Sequence, residues 1–289
     1  MKKEVDFVKC SPANNMTILV KSVHPAEQHS LIAAQMMDYG HLYAEQVGFI
    51  EKPSTSGHAA KLQMAGGEFC GNACLALAAC LASEKELEPG QSLELLLDVS
   101  GADEPVPCFV EKLERAYLCE AGMPMPKSIQ KAIIPFEDML LETGIVRYSG
   151  CFHLVIDCER YGLERAAAER LAKLLGVASG HDLVGIMLYR PSSSELAPLI
   201  YVPALHSLIW EQGCGSGTAS LGCYLAWRER RSLNLHVHQP GGTIHLNVGW
   251  DGMDVTDVSI KTAVAIVAQG KAYVDELELE PFSIQGGVC

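Results

Sequence analysis

Along most of the chain, β-branched and aliphatic residues alternate with polar ones or cluster in short runs, divided by Gly, Pro, Asn and Asp. This pattern predicts strands rather than long helices. In the first half they fall at Val5–Lys9, Thr17–Lys21, Gln46–Glu51, Lys61–Met64, Leu93–Val99, Cys108–Lys112 and Tyr117–Glu120. In the second half they fall at Val146–Tyr148, His153–Asp157, Val184–Tyr189, Leu199–Val202, Leu233–His238, Thr243–Val248, Val255–Lys261 and Ala263–Ala268. Two segments carry helical rather than strand periodicity. One runs from about Pro25 to Asp38, before Gly40. The other runs from about Leu163 to Leu175, with Gly176 as its stop.

Two further segments differ in kind. Gly71-Asn-Ala-Cys-Leu-Ala-Leu-Ala-Ala-Cys-Leu-Ala follows Cys70, and Gly215-Ser-Gly-Thr-Ala-Ser-Leu-Gly-Cys-Tyr-Leu-Ala-Trp follows Cys214. Both are small or apolar on nearly every side, as expected of a helix buried all round. In a chain made mainly of strands, the natural container is a sheet curled around the helix. The two cysteines stand 144 residues apart, half the chain length, and each opens a Cys-Gly helix start. That repeat predicts an α+β fold of two pseudo-symmetric lobes, each a mostly antiparallel sheet around one central helix, with a cleft between them. The link between lobes is expected in Gly122–Ser128, where Met-Pro-Met-Pro interrupts regular structure.

Composition narrows the chemistry. Apolar residues make up 48% of the 289, and charged residues 20%, as in a globular protein with a sizeable core. The net charge of −13, from 35 acidic and 22 basic residues, argues against nucleic acid and anionic membrane as partners. No apolar signal core and no run near the roughly 18 residues of a membrane span occurs, so a cytoplasmic location is expected. There are 11 cysteines, an odd number in a long chain, which suits free thiols in a reducing compartment. Cys74, Cys80 and Cys223 lie on the apolar helices and are expected to be packing residues. Cys70-x3-Cys74 lacks a second ligand pair at zinc-type spacing, so no metal is expected.

Cys70 and Cys214 are different because of where they sit. A helix N-terminus offers unpaired backbone N–H groups and the positive end of its dipole. Gly71 and Asn72, or Gly215 and Ser216, could hold a substrate carboxylate there. A cysteine at that place is expected to have a lowered thiol pKa. If the two starts face each other, one sulfur lies on each face of a bound amino acid's α-carbon. One thiolate and one thiol then suffice to remove an α-proton and return another on the opposite face. Donors aimed at the carboxylate would stabilise the enolate-like intermediate.

At these residues the chain resembles the diaminopimelate epimerase superfamily of two-cysteine racemases. The similarity rests on Glu68-Phe-Cys-Gly-Asn-Ala and Glu211-Gln-Gly-Cys-Gly-Ser-Gly-Thr. It extends to Asn14-Asn-Met-Thr, Glu45-Gln-Val-Gly-Phe and His238-Gln-Pro-Gly-Gly. Within the superfamily the chain looks most like the histidine racemase branch that serves staphylopine-type metallophore synthesis. The resemblance implies an isomerase of diaminopimelate-epimerase-like fold without pyridoxal phosphate, metal or nucleotide, acting on a free amino acid as a homodimer. It implies lobes of residues 1–126, completed by 268–289, and 127–267.

It also implies substrate-binding roles for Asn15 and Gln46, and a tuning role for His153 near the first cysteine. Glu45 could pair with an imidazolium or ammonium, or be an ordinary surface charge. His206 and Glu211 both precede Cys214 closely enough to tune it. The chain departs from true diaminopimelate epimerases in lacking the Asn of the strand before Cys70 and the Arg before Cys214. A distal substrate carboxylate would be left unpaired, which favours histidine over diaminopimelate. The remaining alternatives are diaminopimelate epimerisation with another cation in place of that Arg, a proline-type epimerase, an amino-acid-binding protein without catalysis, and a redox protein closing a Cys70–Cys214 disulfide.

Overall fold

The computed structural model describes residues 2–275. It is a mixed α/β structure, mostly sheet with few helices. In chain order its strands are β1 (Lys2–Pro12), β2 (Thr17–Val20), β3 (Gln46–Glu51), β4 (Ala60–Met64), β5 (Ser92–Val99), β6 (Val106–Lys112), β7 (Tyr117–Gly122) and β8 (Ser128–Phe136). Then come β9 (Met139–Arg147), β10 (Cys151–Asp157), β11 (Leu183–Arg190), β12 (Glu195–Val202), β13 (Ser207–Trp210), β14 (Leu233–Gln239), β15 (Gly242–Trp250) and β16 (Val255–Asp275). The α-helices are α1 (His29–Met37), α2 (Gly71–Glu84), α3 (Cys158–Tyr161), α4 (Arg165–Ser179) and α5 (Gly215–Glu229). None of the described helices is long and apolar enough to cross a membrane.

The strands hydrogen-bond in the order β1-β2-β3-β4-β5-β6-β7-β16-β15-β14-β12-β11-β10-β9-β8, with β13 on β12, and β16 also pairs β1. From β1 to β7 the successive pairings are antiparallel, parallel, antiparallel, parallel, antiparallel, antiparallel. From β9 to β16, along β10, β11, β12, β14 and β15, the same six relations recur in the same order. The helices fall at matching places, α1 and α4 in the first parallel crossover and α2 and α5 in the second. β1–β7 and β16 wrap α2, while β8–β11, β14, β15 and β16 wrap α5.

Burial explains which helix goes where. α2 is buried almost continuously from Gly71 to Ala82, as its all-round small and apolar sequence requires. α5 is the same from Gly215 to Ala226, Ser216 apart. α1 buries only Ile32, Ala33 and Met36 among its hydrophobics, and packs them on the outer face of the sheet against Val5, Ile18, Val47 and Phe49. α4 does likewise with Ala168, Leu171 and Ala172 against Leu141, Leu154 and Ile186. β2 and β10 are therefore covered on both faces, which is why their residues are buried without alternation, His153 of β10 among them.

The structure departs from the sequence reading in several places. α4 runs through Gly176, the expected stop, to Ser179 and ends at Gly180 in the left-handed region, and the short α3 was not expected. The two strands expected at Val255–Lys261 and Ala263–Ala268 are one long strand, β16, which pairs β15, then β7, then β1 along its length. The hairpin β8–β9 was legible only at its last residues. β8 lies at the sheet's end with a poorly alternating burial pattern and carries Pro135, which suits an edge strand. β13 follows a short 3-10 turn and is too brief to show a period. The interruption expected at Gly122–Ser128 does fall between β7 and β8.

Gly144 in β9 illustrates how tightly the sheet closes on α5. A Cβ there would lie 2.4 Å from Cδ2 of Tyr224 and 2.5 Å from Cγ. Gly144→Ala is expected to lower unfolding free energy by about 1–3 kcal/mol, the usual cost of overpacking. Denaturant titration of the purified variant checks this.

Candidate active site

The two cysteines are the N-caps of the two buried helices, and they cap in the same way. Cys70 Sγ accepts the Ala73 N–H of α2 at 3.3 Å, and Cys214 Sγ accepts the Gly217 N–H of α5 at 3.3 Å. Both residues are extended at φ −135° and −112°, so each chain turns sharply into its helix at the sulfur. The helix starts meet. Asn72 Nδ2 donates to the Gly213 carbonyl at 2.9 Å, and a Cβ on Gly215 would lie 3.3 Å from Asn72 Oδ1. Beneath both starts lies Ile260 of β16, 3.1 Å from a Cβ at Gly71 and 2.7 Å from one at Gly215. Glycine is required at both positions because the neighbouring element occupies the space a side chain would need.

The loop before β2 completes the enclosure. Ala13 and Asn14 take left-handed φ values of 45° and 56°, and the Ala13 carbonyl stands 2.8 Å from a Cβ at Gly213 and 2.3 Å from one at Gly241. Asn15, fully buried, donates to Glu45 Oε2 at 2.7 Å and to the Gly213 carbonyl at 3.1 Å. It accepts from Gln46 Nε2 at 2.9 Å, and Gln46 Oε1 in turn accepts from the Cys70 thiol. The sequence-predicted set Asn15, Glu45, Gln46 and Cys70 is thus one hydrogen-bonded chain. On the second helix, Gln239 accepts from the Cys214 N–H at 2.8 Å and donates to Thr218 Oγ1 at 2.7 Å. Ser216 Oγ lies 3.5 Å from Cys214 Sγ.

Residues 4–273 match the family described as histidine racemase CntK N-terminal domain. The chain belongs to the histidine racemase family. It is 34% identical over 277 residues to a histidine racemase of Staphylococcus aureus, covering 95% of this chain and 99% of that one. It is 32% identical over 275 residues to a histidine racemase of Fusobacterium nucleatum, covering 93% and 97%. Its fold is similar to that of a hydroxyproline epimerase from Agrobacterium vitis, with TM-score 0.67, 11% identity and 94% and 93% of the two chains covered. A phenazine biosynthesis protein of the PhzF family from Bacillus anthracis gives TM-score 0.65, 12% identity and 94% and 99% coverage. The chain is an isomerase of the amino-acid racemase kind.

In this member of the histidine racemase family, the electrostatics of the site differ from the sequence expectation. Helix N–H groups do favour the thiolates, but burial opposes them and wins. Burial pushes the Cys70 thiol up to about 12, against the amides of Ala73 and Asn72, and the Glu211 and Glu68 charges push the same way. The Cys214 thiol is raised well above its ordinary value by burial and by Glu211, with which it shares a hydrogen bond. Burial therefore favours the thiol form of both sulfurs. Glu211 is itself raised by burial. Glu45 is raised to about 7, first by burial and then by the Glu211 charge, with the Asn15 bond opposing. Two carboxyls and two thiols thus share one enclosed site that lacks a cation among its described neighbours, an arrangement suited to a positively charged ligand.

The structure separates the remaining candidates. Of the two residues before Cys214, Glu211 bonds the thiol whereas His206 is exposed on a left-handed turn. His153 is not among the hydrogen-bond partners of Cys70. It lies under α5, 2.7 Å from Ser220 Oγ and beside the Ser216 backbone, and burial drives its pKa down to about 4, which favours the neutral ring. Cys74, Cys80 and Cys223 are buried. No group of three or more His, Cys, Asp or Glu side chains among the described residues is placed to share a metal ion. Gln239, Thr218, Met123 and Ile260 escaped the sequence reading as site residues. Only Gln239 carried a signal there, in its place before Pro240-Gly241-Gly242.

Glu45 yields a pH prediction. Its folded pKa is raised, so the fold prefers the protonated form. The penalty is absent below about 4.5 and fully present above about 7. Glu45→Gln, which can still accept from Asn15, is expected to be more stable than the wild type by roughly 1–3 kcal/mol at pH 8 and by little at pH 4.5. Ligand-free denaturation at both pH values measures the difference.

Proposed function

We propose that the chain interconverts L- and D-histidine by a two-base mechanism, with Cys70 and Cys214 as the acid–base pair. The observation that carries this reading is the matched pair of cysteine-capped helix starts meeting over Ile260. The substrate carboxylate sits at the first-turn amides of Gly71, Asn72, Gly215 and Ser216, where both dipoles favour an anion. Asn72 Oδ1 is buried without a partner and suits the substrate ammonium as an acceptor. The ammonium adds the cation that the Glu45–Glu211 pair lacks, and Glu211 takes the Cys214 proton so that a thiolate faces the α-carbon. That thiolate removes the α-proton, and the thiol of Cys70 delivers its proton to the opposite face. In the reverse direction the two sulfurs exchange roles. Enclosure strengthens each of these interactions by excluding water.

Histidine as the substrate rests on the two curated relatives and on the absence of an Arg before Cys214 to hold a second carboxylate. The same resemblance supports supply of D-histidine to an opine-type metallophore pathway, in the cytoplasm and by a homodimer. The repeated pairing order supports a diaminopimelate-epimerase-like pair of lobes, residues 1–126 and 127–267, with the active site between them. Of the 268–289 segment assigned to the first lobe, residues up to Asp275 pair β1, and the rest lies outside the described residues.

Chiral chromatography of L-histidine incubated with the reduced protein tests the reading, with meso- and LL-diaminopimelate as the competing substrates. Wild type is expected to racemise histidine alone. Cys70→Ser and Cys214→Ser are each expected to lose at least about a thousandfold in rate, as for removal of an acid–base group. Turnover of diaminopimelate alone would overturn the substrate, and full activity in either variant would overturn the mechanism.

A further inference from the structure

The two halves superpose their pairing patterns, so each residue behind one catalytic helix has a counterpart behind the other. β2 and β3 pair Leu19 with Gly48, and β10 and β11 pair His153 with Gly185. Gln46-Val-Gly-Phe-Ile and Leu183-Val-Gly-Ile-Met set the two glycines in like surroundings. Six residues beyond Cys70 stands Ala76, and six beyond Cys214 stands Ser220. The first half therefore backs its helix with Leu19 and Ala76, both fully buried and apolar. The second half puts His153 and Ser220 at the same places, also buried.

A buried polar pair in a position that an apolar pair can fill is costly unless its bonds are made. Here the bonds that are made run to α5. His153 Nδ1 lies 2.7 Å from Ser220 Oγ, Tyr148 OH lies 2.9 Å from the same oxygen, and the Ser216 backbone lies beside the ring. His153 Nε2 has no partner. The ring fits because a Cβ at Gly185 would lie 2.3 Å from its Cδ2. Ser216 belongs to the first turn of α5, two residues after Cys214, and its hydroxyl reaches Cys214 Sγ at 3.5 Å. The polar trio thus braces α5 behind the second sulfur, whereas Leu19 and Ala76 put no polar group at the matching places behind α2.

We propose that His153, held by Ser220 and Tyr148, is a positioning residue for Cys214 alone, fixing the first turn of α5 so that the two halves of a nearly symmetric site are functionally unequal. This rests on the two-cysteine reading above. The ring itself touches neither substrate nor sulfur.

The test is the double variant His153→Leu/Ser220→Ala, which copies the apolar pair of the first half, with His153→Asn beside it. The double variant folds, because Leu19 and Ala76 show that such a pair packs in this setting. Its kcat for L-histidine falls about tenfold to a hundredfold with KM within about twofold, as expected of a displaced reacting group. Mass-resolved alkylation by iodoacetamide changes rate at Cys214 and not at Cys70. His153→Asn, whose Nδ2 can replace Nδ1 as donor, recovers most of kcat. A double variant with wild-type kcat, equal changes at both cysteines, or a double variant that does not fold would each overturn the proposal. Cys214→Ser in the same assay separates the two readings. If it still racemises histidine, the two-cysteine mechanism falls. If it is inactive and the double variant is unimpaired, only the positioning role falls.

Discussion

The structure depends on holding two helix N-termini closely against each other. Like ends of two dipoles repel, and each carries backbone donors that need partners. The chain meets this cost with two asparagine side chains and two glycines. Asn72 Nδ2 and Asn15 Nδ2 both reach the Gly213 carbonyl, and Gly71 and Gly215 both rest on Ile260. Each helix is wrapped on its other sides by sheet, so neither can withdraw into solvent. β16 is the element that makes this possible, since it pairs strands of both halves and places Ile260 under the junction.

The same enclosure sets the electrostatic problem of the site. A helix start alone would stabilise a thiolate, and an exposed cysteine there would be acidic. At Cys70 and Cys214 burial outweighs the dipole and the capping N–H bonds, and the neighbouring carboxyls add to burial. Under the proposed function, the sulfurs become useful bases when the substrate ammonium enters beside Glu45 and Glu211, and activation of the base is thereby tied to occupancy by an amino acid.

Much of this was legible in the sequence because it depends on residue type at fixed places. A helix that is small and apolar all round must be buried, and two Cys-Gly starts half a chain apart announce a repeated arrangement. Asn15, Gln46 and Glu45 were found by resemblance, and the structure joins them to Cys70 in one hydrogen-bonded chain. Sequence could not tell Glu211 from His206, since both precede Cys214 and only the turn geometry decides which one faces it. It misplaced His153, because the strand's register against α5, rather than proximity in the motif, decides which helix the ring meets. It also misjudged the thiols, because the dipole is local and visible in sequence whereas desolvation comes from the surrounding fold.

The central claim is that two monoprotic sulfurs serve opposite faces of one α-carbon, and early-time racemisation of L-histidine in D2O tests it most directly. A base that removes protium and an acid on the other face that delivers deuterium would label the D-histidine formed and leave the remaining L-histidine unlabelled. That result is expected within the first few per cent of conversion. Deuterium appearing equally in recovered L-histidine would mean that one exchangeable base serves both faces, and would contradict the account.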